Sequence, residues 1–132
     1  MPDRPATATG AGRVLIAVYG LFAVAATARA GYQIATKFAV APLAYTLSAV
    51  AAVVYVLATV GLAARGSWAR PLAWAAVSFE LLGVLVVGTL TLLDTGDFPA
   101  DTVWSIYGRG YGFVPLVLPV VGLWWLRRTR AG

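Results

Sequence analysis

Three side chains stand out because they are polar where the sequence around them is not: Glu80, Tyr55 and Arg29. Glu80 lies inside the apolar run Pro71–Leu93, Tyr55 inside Val40–Ala64 and Arg29 inside Val14–Ala35. Each run reaches the ~20 helical residues needed to cross a hydrocarbon core ~30 Å thick. An acid at that depth is costly to charge unless a cation is close, because burial strips its hydration. A neutral carboxyl there has two uses. It can load and release a proton, as a proton-coupled transporter requires, or it can clamp two helices through hydrogen bonds. Glu80 has no relay of further acids, His or Lys in its run, which weighs toward the clamp.

Depth decides which partners Glu80 can reach. It is ten residues past Arg70, so ~15 Å into the bilayer at 1.5 Å per residue. Tyr55 is ten residues before Arg65, at the same depth on an antiparallel neighbour. A hairpin turn near Ser67 would pair them, and this spacing predicts a Tyr55 hydroxyl to Glu80 carboxyl hydrogen bond. Arg29 is sixteen residues past Arg13, ~24 Å up and near the opposite boundary. It is expected to snorkel to the headgroups. The alternative is a direct or water-bridged pair with Glu80, since helical side chains lean toward the N-terminus.

The elements that must position these groups follow from composition. Apolar residues make up 61% of the 132-residue chain and charged residues 11%, with a mean hydropathy of +0.83. Soluble domains are ~45–50% apolar and ~25% charged. The chain therefore reads as all-α and polytopic, with four transmembrane helices in an up-down bundle. The spans are residues 14–35, 40–64, 71–93 and 111–126. Residues 1–12, rich in Pro, Ala, Thr and Gly, read as a disordered tail, and residues 13–132 as one transmembrane domain.

Charge orients the bundle. Arg4, Arg13, Arg65, Arg70, Arg127, Arg128 and Arg130 fall on one side, and Arg29, Lys37 and Arg109 on the other, with Asp94, Asp97 and Asp101. The basic side is cytoplasmic by the positive-inside rule, so both termini are expected in the cytoplasm of a plasma-membrane protein. Trp68, Trp74, Trp124 and Trp125 fit the inner interface; Tyr32, Tyr45, Trp104, Tyr107 and Tyr111 fit the outer one. The net charge of +5 belongs to helix ends and is no sign of nucleic-acid binding. A secretory signal cleaved after Ala28-Arg29-Ala30 is the alternative reading of the first span. The run into a second span argues against it.

Small residues should mark helix contacts, because helices in lipid associate by close backbone approach. The rows are Ala17, Gly20, Val24, Thr27 and Gly31 in the first span, and Ala41, Ala44, Ser48, Ala51, Tyr55 and Ala58 in the second. In the third they are Ala69, Ala73, Ala76, Glu80 and Gly83. Pro42 and Pro71 fall in first turns, where a missing N–H costs little. Pro115 and Pro119 are placed inside the fourth helix and predict a kink there, either a packing device or a hinge with freed carbonyls. In the outer loop, Asp101 could cap a short interfacial helix ending at Gly108. Asp94, Asp97, Asp101 and Trp104 make the loop a candidate docking surface, against the plainer reading of a solvated loop with an aromatic anchor.

No Cys or His is present, which excludes disulfides and the usual zinc, haem or copper sites. No cofactor is expected. No nucleophile elbow, phosphate loop or carboxylate pair appears, so no enzyme activity is expected either. The runs Tyr111-Gly-Phe-Val-Pro-Leu-Val-Leu-Pro-Val-Val-Gly-Leu-Trp-Trp-Leu-Arg-Arg128 and Phe79-Glu-Leu-Leu-Gly-Val-Leu-Val-Val-Gly-Thr-Leu90 resemble small four-helix integral membrane proteins of uncharacterised function from actinobacteria. The resemblance covers Arg13–Arg128. It implies a plasma-membrane location and four spans, and brings no substrate or site. Two functions remain: an accessory or scaffold component of an envelope assembly, with a membrane-protein partner or as a homo-oligomer, or a small oligomeric proton-coupled transporter using Glu80.

Overall fold

The computed structural model describes residues 10–64, 66–93, 102 and 104–129. Among them every regular element is helical. Helix α1 covers Gly12–Lys37, α2 Pro42–Ala63, α3 Ala69–Leu93 and α4 Val114–Arg128. A 3-10 turn at Phe38–Val40 joins α1 to α2, and a 3-10 segment at Ser105–Tyr111 precedes α4. Helix α1 packs along α2, α2 along α3, and α3 along both the Ser105–Tyr111 segment and α4, which touches α1.

Helices α1, α2 and α3 are each long and apolar enough to cross a membrane. The expected fourth span is not one straight helix, and with it the helices long and apolar enough to cross number three, or four if a bent pair counts as one span. Val114–Arg128 has 15 residues, ~22 Å of helix at 1.5 Å per residue. It forms a broken pair with Ser105–Tyr111, bent by 101°. The break lies ahead of the prolines, which corrects the expected kink. Pro115 occupies the first turn of α4 and Pro119 alone is interior, within one continuous helix. The bend occurs at Gly112 and Phe113, both left-handed, with φ of 64° and 61°. Three backbone positions before it, Ile106, Tyr107 and Gly108, are also left-handed. Ile106, at φ 47°, is the costliest of these, because a β-branched side chain crowds the backbone there.

The helix starts follow local chemistry. Pro42 stands in the first turn of α2, where its fixed φ suits the helix and its missing N–H would be unpaired anyway. Helix α2 ends at extended Ala64, whose N–H still reaches the Val60 carbonyl. Residues 1–9, Arg65 and Arg130 lie outside the described residues.

Two of the three expected contact faces hold. Ala41, Ala44, Ser48, Ala51, Tyr55 and Ala58 are all buried, and so are Ala69, Ala73, Ala76 and Glu80, with Gly83 half-buried. On α1 the expectation fails. Ala17, Val24, Thr27 and Gly31 are exposed and Gly20 only half-buried. The buried row is Leu15, Tyr19, Ala23, Ala30 and Gln33. Alanine is so frequent on α1 that small size carries no contrast; the large side chains Leu15 and Tyr19 choose the face.

Helices α2 and α3 approach each other closely at Gly61. A Cβ on Gly61 would lie 2.6 Å from the Ala73 nitrogen and 3.0 Å from the Ala69 carbonyl oxygen. Neither atom can move without moving α3. Gly61→Ala is therefore expected to lower stability in detergent by about 1–3 kcal/mol, the usual cost of overpacking. Gly31→Ala, with nothing within 4 Å of the added carbon, is expected to leave the unfolding temperature unchanged or raised. Thermal melts of the two variants side by side check both.

Candidate functional site

Glu80 is fully buried. Its Oε1 accepts a hydrogen bond from the Tyr19 hydroxyl at 2.6 Å, at the short end of the O–H···O range. Its Oε2 has no hydrogen-bond partner. Tyr19 itself has no exposed surface. It reaches Glu80 from α1, across the space bounded by α2 and α4. Gly122 of α4 makes that room: a Cβ there would sit 3.1 Å from both the Tyr19 hydroxyl and a Val77 methyl. Helices α1, α3 and α4 thus meet at the Tyr19–Glu80 pair.

Tyr19 replaces the partner expected from depth. Tyr55 is fully buried in the same core, but its hydroxyl accepts the Trp104 indole N–H at 3.2 Å and makes no hydrogen bond with Glu80. The Tyr55 ring packs 6.2 Å from that of Tyr19 and 5.5 Å from that of Phe22. Depth counting found the correct layer, but the face chosen on α1 excluded Tyr19. A large polar aromatic inside an apolar helix was the signal that could have found it.

Arg29 does not reach Glu80. It is exposed, and its guanidinium donates to the Tyr111 hydroxyl. That ring packs against Phe22 at 5.8 Å between centroids, tilted by 59°. At the other end of the bundle Arg70 donates to the Leu126 carbonyl, in the last turn of α4. A cation there satisfies an otherwise unpaired carbonyl and complements the helix dipole.

The proposed docking loop is corrected in one part. Trp104 is 1% exposed and therefore unavailable as a surface anchor. It lies flat on Gly83, where a Cβ would collide with the indole. Tyr107 packs in the same way over Gly88, and its hydroxyl pairs with Thr89 Oγ1 at 2.7 Å. Ile106 N–H donates to Thr91 Oγ1 at 2.8 Å. Two glycine notches and two threonines on α3 therefore hold the segment before α4. Asp94, Asp97 and Asp101, including the suggested Asp101 cap, lie outside the described residues. Of the expected interfacial aromatics, Tyr32, Trp68, Trp74 and Trp124 are exposed, with Tyr32 beneath Lys37 and Trp124 beneath Arg128. Tyr45 is buried with Ala41 and Ala44 instead.

The arrangement can hold helices together through one carboxyl and one phenol. Tyr19→Phe leaves both Glu80 oxygens buried without partners and is expected to cost about 1–3 kcal/mol. In a double-mutant cycle with Glu80→Gln, Tyr19→Phe should show a coupling of about 0.5–3 kcal/mol. The same cycle with Tyr55→Phe should come out near additive, because that hydroxyl serves Trp104. Denaturant titration of the four variants and the two doubles checks this.

The chain matches no family model, no curated protein and no solved structure, so what it does rests on its own side chains.

Proposed function

We propose that this chain is a multi-pass protein of the plasma membrane, with both termini cytoplasmic, and that it serves as a non-enzymatic accessory or scaffold component of an envelope assembly. In this reading it is akin to the small actinobacterial membrane proteins it resembles. The first helix is retained, since it supplies Tyr19 to the core. The observation that carries the proposal is the enclosure of Glu80. Its carboxyl is fully buried among alanines, valines and aromatic rings, and Tyr19 holds it from another helix. Among the described residues it is the only acidic side chain, and no other acid among them stands next to it. A clamp of this kind keeps a small bundle rigid. The exposed apolar rows, such as Leu21, Val24, Leu82, Leu85 and Val117, remain to face lipid or a partner helix.

One observation favours the second reading, a small oligomeric proton-coupled transporter. Glu80 Oε2 is buried and has no partner, and such a group is a natural place for a proton or a transient water.

Two measurements separate the readings. On the scaffold reading, the Glu80 carboxyl signal, isolated as the infrared difference between wild type and Glu80→Gln in lipid, stays constant from about pH 5 to about pH 9 because buffer does not reach it. On the transporter reading the signal follows pH, and Glu80→Gln abolishes proton-coupled uptake. The scaffold reading also expects co-purification with a stoichiometric membrane partner after mild extraction. A single lone species in every detergent would sink it.

A further inference from the structure

We infer that the cleft between α1 and the Ser105–Tyr111 segment, at the Lys37 end of the bundle, binds a phosphate group. The cleft encloses about 370 Å³, and Arg29, Arg109, Thr102, Ser105, Gly110 and Tyr111 line it. That volume is within the range of small-molecule sites, about 300–1,000 Å³. Glu80 takes no part, so the inference stands apart from both functional readings above.

The chemistry of the wall points to an anion. Two guanidiniums, eighty residues apart in sequence, share one concavity. An anion in the cleft would meet both positive charges. Arg29 is held in place by its bond to Tyr111, which uses only part of its five N–H donors. Arg109 is exposed, and its guanidinium has no hydrogen bond or ion pair among the described residues. The guanidinium fork matches phosphate oxygens in a way that a spherical halide does not exploit.

The neutral groups fit the same ligand. Ser105 Oγ and Thr102 Oγ1 face each other at 3.2 Å. Ser105 Oγ accepts the Thr102 N–H, and Thr102 Oγ1 accepts the Trp104 N–H. Two hydroxyls sharing one hydrogen bond leave one O–H free to donate. A Cβ on Gly110 would meet nothing within 4 Å, so a ligand can approach the backbone there. The wall is also held firmly, because Ile106 and Tyr107 are pinned to Thr91 and Thr89 of α3.

The phosphate can come from a lipid headgroup or from free phosphate, and the test separates the two. The full chain is purified in dodecyl maltoside, which carries no phosphate. One arm adds phosphatidylglycerol and counts retained lipid by native mass spectrometry. The other adds inorganic phosphate and follows binding by ³¹P NMR. Retention of lipid without phosphate binding assigns a headgroup; phosphate binding that displaces lipid assigns the free ion. Either outcome supports the inference, provided that Arg109→Gln weakens binding about tenfold, the loss of one charge-assisted contact. Arg29→Lys, which keeps the charge but loses the fork, should weaken it as well. Arg13→Gln, at the far end of α1, should leave it unchanged. Binding in neither arm, binding indifferent to Arg109→Gln, or an equal loss with Arg13→Gln would overturn it.

Discussion

A carboxyl that water does not reach must find its hydrogen bonds among side chains, and in this chain Tyr19 supplies the one that is made. An apolar surrounding makes the bond demanding in geometry, since an unmet polar group there is far costlier than in water. The layout of the bundle follows from that demand. Helix α1 must turn Tyr19 inward, so Ala17, Val24, Thr27 and Gly31 face outward. Helix α4 must carry Gly122 at the level of the hydroxyl, because any side chain would push Tyr19 away. Helix α3 must bring Glu80 and Gly83 to the same face, one for the phenol and one for the Trp104 ring.

From this point an aromatic chain runs toward the Lys37 end. Tyr19 meets Tyr55, Tyr55 meets Trp104 and Phe22, and Phe22 meets Tyr111, which holds Arg29. The buried carboxyl and the arginine-lined cleft are therefore joined by packed rings with few rotatable bonds between them. Such a column fills the bundle interior with large side chains, while alanine and glycine rows let the backbones close around it. Division of labour between rings and small residues explains how so light a chain builds a filled core.

Much of the architecture was legible in the sequence. The apolar runs locate α1, α2 and α3 to within a few residues, because the length of a crossing leaves a strong signal. The rows on α2 and α3 were legible because Tyr55 and Glu80 break the alanine background and mark the inward side. The face of α1 is not legible in the sequence, since its alanines point in all directions and small size singles out no one row. The segment before α4 was not legible. Its left-handed residues Ile106, Tyr107 and Phe113 are types that rarely adopt that backbone, and only the notches at Gly83 and Gly88 on distant α3 account for the inward turn of Trp104 and Tyr107. Proline position alone suggested the bend in the wrong place.

The most direct test of the central claim is the carbonyl stretch of Glu80, read by infrared spectroscopy of wild type, Tyr19→Phe and Tyr55→Phe in the same lipid. A hydrogen bond to the carboxyl changes the frequency of that band. The Tyr19–Glu80 clamp predicts a band shifted in Tyr19→Phe and unmoved in Tyr55→Phe. A band that shifts in Tyr55→Phe and stays put in Tyr19→Phe would contradict it, and would place the carboxyl against α2 instead of α1.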